Sequence, residues 1–133
     1  MRLIALMMLV LSLFPAPLTA QSVGPGDTVL RQFEAFRADD MEQAFSYASP
    51  MIKGYFRTPG NFGRMVEQGY PMVRDPGRVR LLDLREEGGK RLQRVEVIDG
   101  KGMAHTLDYE MIETEDGWKI NGVTFTRAPM PAV

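Results

Sequence analysis

The feature that most constrains this chain is a change of period at Arg78. Before it, apolar residues recur every three or four positions; after it, they alternate in runs closed by glycine turns. Helices therefore come first and an antiparallel sheet follows. Asp27 is placed to cap a first helix carrying Val29, Leu30, Phe33 and Phe36. Asp40 with Gln43 fits a capping box for a second helix, which buries Met41, Ala44, Phe45 and Ala48 and ends before Pro50. Residues 51–57 read as helical or irregular, with Ile52, Tyr55 and Phe56 inward. Thr58 and Pro59 open a third helix through Phe62, Met65 and Val66, stopped by Gly69 and Pro71.

Four β-rich runs follow: 78–85, 91–99, 103–113 and 118–127. The separators between them are of hairpin length and carry Gly88, Gly89, Gly100, Gly102 and Gly117. The predicted fold class is α+β, with three N-terminal helices packed on a four-stranded antiparallel meander sheet. Alternation sets Val79 opposite Val97, Leu81 opposite Val95, and Arg85 opposite Arg91. Across the next hairpin it sets Val95 opposite Leu107. In the last one it sets Glu113 opposite Trp118, Met111 opposite Ile120, Tyr109 opposite Gly122, and Leu107 opposite Thr124. The face under the helices then carries Val79, Leu81, Val95, Val97, Leu107, Tyr109, Met111, Trp118 and Ile120.

The first twenty residues are a different kind of segment. Arg2 is followed by an apolar run from Leu3 to Phe14 and a small-residue, proline-containing close. This is the layout of a secretory signal peptide cut between Ala20 and Gln21, with an apolar run too short for a bilayer-spanning helix of roughly 20 residues. The organisation expected is a signal peptide over 1–20, a linker over 21–26, one domain over 27–127 and a flexible tail over 128–133. Export to the bacterial periplasm is the localisation this implies, with no membrane anchor left after cleavage. With no cysteine in the chain, the domain folds without disulfides and carries no lipid on a thiol.

Charge argues against a polyanionic partner. Cleavage removes Arg2 alone, and the remaining 15 basic residues face 17 acidic ones. Arg78, Arg80, Arg85, Lys90, Arg91 and Arg94 are interleaved with Asp83, Glu86, Glu87 and Glu96, so no nucleic-acid surface is expected. One histidine and no cysteine leave no ligand set for a metal, and no cofactor motif occurs.

Three segments carry a resemblance: FSYASPMIKGYFRTP over 45–59, NFGRMVEQGYP over 61–71, and GWKING over 117–122. Together they are similar to the nuclear transport factor 2-like superfamily of α+β cones, and more narrowly to a family of short exported bacterial proteins catalogued as a domain of unknown function. The likeness spans roughly residues 27–126. It implies a cone-like fold and a habit of dimerisation, and it carries little weight on activity, because the superfamily holds isomerases, dehydratases, ligand binders and structural subunits.

Within that frame three polar residues fall on the apolar face: Asp83, Gln93 and His105. The register places Asp83, Gln93 and Tyr109 in one row. A buried carboxylate beside a phenol suits a general base with an oxyanion donor, which makes Asp83 the candidate catalytic residue. The plainer reading of Asp83 is an exposed ion pair with Arg85 and Arg91. Gln93, Tyr109, His105, Tyr55 and Phe62 are the candidate pocket residues, with His105 set opposite Thr126. On the other face Leu82, Leu84, Leu92, Val123 and Phe125 are candidates for a homodimer contact through the sheet. The leading expectation is a non-catalytic module that binds a small molecule or a protein. The alternatives are an isomerase- or dehydratase-like enzyme using Asp83, and a structural homodimer with a filled cone.

Overall fold

Alternation of period becomes alternation of structure in the computed structural model, which describes Pro15 and residues 23–132. The segment expected to be a signal peptide, and its expected cleavage site, lie outside those residues, apart from Pro15. Among the described residues five helices precede the sheet: α1 Pro25–Arg37, α2 Met41–Ser46, α3 Pro50–Phe56, α4 Pro59–Gly69 and α5 Pro71–Arg74. Two more are present than the sequence pattern predicts, and proline is the reason. Pro50 and Pro71 end one helix and also stand in the first turn of the next, where the missing N–H has no intrahelical partner to lose.

Side-chain caps fix the starts. Asp40 accepts the Gln43 N–H at 3.0 Å, Ser49 that of Ile52 at 3.3 Å, and Thr58 that of Asn61 at 3.1 Å. Asp27 is not the N-cap of α1. Gly24 holds that position, and the Asp27 carboxylate reaches back to the Gly24 N–H at 2.9 Å from the third helical position. The helix therefore starts inside the segment expected to be linker. α3 has no fully buried residue and ends at Arg57, whose φ of 71° is left-handed.

The sheet runs β1 Arg78–Glu87, β2 Lys90–Ile98, β3 Met103–Thr114 and β4 Gly117–Phe125, each antiparallel to the next. A short fifth strand, β5 Met130–Pro131, pairs with Met103 and Ala104 beyond the end of β4. The segment expected to be a frayed tail thus adds to the sheet edge. Among the described residues no helix is long and apolar enough to cross a membrane.

Two bulges correct the expected register. Val79↔Val97 and Leu81↔Val95 pair as predicted, but a shift follows and Leu84 faces Gln93. In β4, Glu113↔Trp118 and Met111↔Ile120 pair as predicted, and a second shift sets Glu110 against Gly122, Tyr109 against Val123, and Leu107 against Phe125. Each bulge adds one residue, so every later side chain of that strand changes face. Val95 faces Leu107 and Gln93 faces Tyr109, with no irregularity between β2 and β3.

The helices cover one face of this sheet. Val29, Phe33 and Phe36 of α1 and Phe62 and Val66 of α4 pack with Val95, Val97, Leu107, Tyr109, Met111 and Ile120 in one buried cluster. Val79, Leu81 and Trp118, also expected there, are partly buried against it. The α2–α3 junction is tied directly to β4: Ser49 N–H donates to the Ile120 carbonyl at 2.8 Å, and Ile120 N–H to the Tyr47 carbonyl at 2.9 Å.

The other face is held by charge. Asp108, 6% exposed, accepts from Arg85 Nη1 and Nη2 at 3.2 and 2.5 Å and from Arg94 Nε and Nη2 at 3.0 and 3.1 Å. Burial pushes its carboxyl up, and the two guanidinium groups overcome that and hold it below the ordinary carboxylate value.

The β1 bulge depends on Gln93. Its amide nitrogen donates to the carbonyls of Leu82 and Arg94 at 3.0 Å each, with Asp83 at 3.5 Å. Replacing Gln93 with Leu keeps the volume and removes the buried amide nitrogen that these carbonyls share. The expected loss is about 2 kcal/mol in urea unfolding; a variant as stable as the parent would show that the bulge needs no side-chain support.

Candidate functional site

The helix-covered face does not close completely over the sheet. Between α1, α3, α4 and the middle of β3 and β4 lies a cavity of about 280 Å³. Phe62, expected at the pocket, is the centre of its aromatic wall, with ring centroids 5.2 Å from Phe45, 6.0 Å from Phe56 and 6.1 Å from Phe36. Tyr109, also expected there, lines the sheet side together with Ile120 and Val123. Val123 reaches the cavity because of the β4 bulge.

The wall has three polar side chains, and they differ in what they have left to offer. Tyr70 donates its hydroxyl to the Val123 carbonyl at 3.1 Å. Gln32, 4% exposed, donates its amide nitrogen to the Ala44 carbonyl at 3.1 Å. The Tyr109 hydroxyl is buried without a partner among the described residues. Burial, with a smaller contribution from Tyr70, pushes the Tyr109 phenol well above its ordinary value, so it stays a neutral O–H.

Several expected site residues are placed elsewhere. Asp83 lies at the β1 bulge with 59% of its side chain in solvent, and its nearest cation is Arg85 at 3.9 Å. The one-residue shift takes it out of the row with Gln93 and Tyr109, so the carboxylate–phenol pair is not formed. Gln93 is buried but occupied by the bulge carbonyls. Tyr55 is 79% exposed on the outer side of α3, its ring packed edge-on against Phe56. Gln32 is the residue that sequence reasoning missed. Its signal was available: it lies three residues after Val29 and four before Phe36, inside the apolar stripe of α1.

His105 is buried on the helix side, opposite Val97 and not Thr126. Thr126 instead donates its N–H to the Thr106 carbonyl at 3.1 Å. The imidazole Nε2 sits 2.8 Å from Asp99 Oδ2, while Asp99 Oδ1 accepts the Lys101 and Met103 N–H groups. His105 thus faces a second, more open cleft with Met72, Phe125 and Thr126, apart from the first cavity.

The five residues read as an association surface do not share a face. Leu92 stands opposite Arg85 and Glu110, whereas Leu84 is paired with Gln93 on the other side. Val123 and Phe125 turn toward the helices, where Phe125 stacks on Tyr70 at 5.3 Å. Leu82 is half-buried beside the bulge. Among the described residues no three His, Asp or Glu side chains gather as a metal site.

A family described as a domain of unknown function, DUF4864, matches residues 25–133. The chain belongs to that family. No curated protein and no solved structure matches it. The match opens at Pro25, the first residue of α1, and takes in both the cavity and β5, so the DUF4864 domain is the whole folded unit described above.

Two tests probe these polar groups in the DUF4864 fold. Tyr109→Phe removes a buried hydroxyl that has no partner, so the empty protein is expected to be as stable as the parent or more so. A fall in melting temperature of about 4 °C or more, near 1 kcal/mol for a domain this size, would mean that the hydroxyl has a partner after all. Asp99 is held down to about 2, first by His105 and then by the Met103 N–H. A depressed carboxylate stabilises the fold above its unfolded value of 3.8 and loses that contribution as the pH falls through 2. The stability gap between the parent and Asp99→Asn is therefore expected to narrow from pH 5 to pH 2 in urea titrations.

Proposed function

We propose that this DUF4864 domain is a binding module for a small apolar molecule, held in the cavity between the helices and the sheet. The observation that carries the reading is the cavity itself: about 280 Å³ between the helices and the sheet, walled mostly by aromatic and aliphatic side chains. An apolar cavity of roughly 150 Å³ holds benzene, and pockets for small ligands start near 300 Å³. The reading favours binding over turnover because, among the described residues, no carboxylate, histidine or lysine lines the wall, and its buried phenol Tyr109 is held in the protonated form. Asp83, with 59% of its side chain in solvent, lies outside this wall.

Two further parts of the reading rest on other support. Helices on one face of a bulged antiparallel sheet suit the nuclear transport factor 2-like cone. The Ala48–Ile120 bridge stands between α2 and α3, where such cones often carry a short strand. Export to the periplasm rests on the composition of residues 1–20.

Naphthalene is the test ligand for the cavity, followed by its fluorescence. Saturable one-to-one binding is expected. Val66→Phe, which places a ring in the cavity from α4, is expected to weaken it at least tenfold while the circular dichroism of the fold is kept. No saturable binding, or equal binding by the filled variant, would refute the site.

A further inference from the structure

The cavity uses only one stripe of α3. Ile52 and Phe56 form that stripe, and Met51 and Tyr55 form a second one about 100° round the helix. The second stripe is 63% and 79% exposed at its two residues. Lys53 lies on the other flank and Arg57 closes the helix. Between them Gly54 is bare: a Cβ built there would meet no atom within 4 Å. The outward side of α3 is therefore an apolar pair and a basic pair with open backbone between.

Charge around this side has one sign. From Gln43 to Val66 the chain carries Lys53, Arg57 and Arg64 and no acidic residue. Arg37, Arg74, Arg80, Arg85, Arg91 and Arg94 are each paired with a carboxylate, whereas Lys53, Arg57 and Arg64 have no such partner among the described residues. Arg64 donates to the neutral amide of Asn61. Lys119 reaches the same region from β4, donating to the Ser46 carbonyl at 3.0 Å. Glu67, the next acidic residue along the chain, lines a cleft with Arg37, Asp39 and Arg74.

An exposed aromatic beside unpaired cations suits an anionic lipid surface or an acidic protein. A stable protein contact takes about 800 Å² from each partner, far more than one helix of about 10 Å offers. A bilayer asks for less area: apolar side chains enter the headgroup boundary, a tyrosine ring suits that depth, and each cation adds attraction to anionic lipid. We propose that the outward side of α3 docks on an anionic lipid bilayer, with Met51 and Tyr55 entering the headgroup region and Lys53, Arg57 and Arg64 set against the phosphates. The contact is peripheral and reversible, and it is independent of what fills the cavity.

Flotation of residues 21–133 with phosphatidylcholine vesicles, with and without phosphatidylglycerol, tests the assignment. Leaving out residues 1–20 removes an apolar run that binds lipid by itself, and the folded unit opens only at Pro25. Binding to the phosphatidylglycerol vesicles is expected to be about tenfold tighter or more, and to be lost at high salt. Lys53→Gln with Arg57→Gln is expected to weaken it about 30-fold, at roughly fivefold per cation. Tyr55→Ser is expected to weaken it several-fold. Lys90→Gln with Lys101→Gln makes the same charge change at two hairpin turns and is expected to leave binding within about twofold. Circular dichroism checks that each variant has folded. No binding, equal binding to both vesicles, equal weakening by the two double variants, or a Tyr55→Ser variant that binds like the parent would overturn the proposal. Polyglutamate bound as tightly as the phosphatidylglycerol vesicles, through Lys53 and Arg57, would also overturn it and assign the surface to an acidic protein.

Discussion

The architecture turns on a single extra residue in β4. Side chains of a strand alternate between faces, so one inserted residue exchanges inside for outside over the remaining length. The shift between Ile120 and Gly122 leaves Ile120 packed under the helices and brings Val123 and Phe125 to the same side. Without it, Gly122 and Thr124 would face the helices, and Tyr70 would lose both its ring partner and its hydrogen bond. Asn121, between the two registers, accepts from the Ser49 hydroxyl at 2.8 Å, so the irregular step in the strand also anchors the start of α3.

The β1 bulge does the corresponding work on the opposite face. By simple alternation Arg85 would stand with Gln93 and Tyr109; one residue of shift sets it opposite Leu92 and beside Arg94. Both guanidinium groups then close on Asp108, in forks that fit a carboxylate. The buried carboxylate of Asp108 and its two guanidinium partners are thereby gathered on the face away from the helices, and the cavity wall is left to apolar packing and neutral hydrogen bonds. The electrostatic contrast between the two faces has its origin in backbone register.

Much of this was legible in the sequence, and what was not has identifiable causes. The period change, the four long strands, their turns and the first pairs of each register could be read because glycine position and alternation act locally. The bulges escaped because alternation was extended through them. Their traces are visible in retrospect: Leu81 and Leu82 are adjacent apolar residues, and the apolar phase slips between Ile120 and Val123 across Asn121-Gly122. Asp83 was misplaced by that one-residue error, as were Leu84, Val123 and Phe125. Pattern alone makes Pro50 and Pro71 stops, and in the fold each is a stop and a start together. β5, at two residues, is too short to leave a pattern. Tyr109 and Phe62 are legible as inward residues because they sit on strongly periodic faces; Gln32, a lone amide in an apolar stripe, reads as an interruption.

α3 is the least buried helix that contributes to the cavity wall. It fully buries none of its residues, is pinned at its start by Ser49 and ends in a left-handed arginine, yet Ile52 and Phe56 in the cavity wall belong to it. A segment with so little buried surface opens at a free energy far below that of global unfolding, whereas the central pairing of β2 with β3 opens only with the whole domain. Opening of the cavity wall and durability of the fold are therefore governed by different barriers, and substitutions in α3 can change the first without touching the sheet.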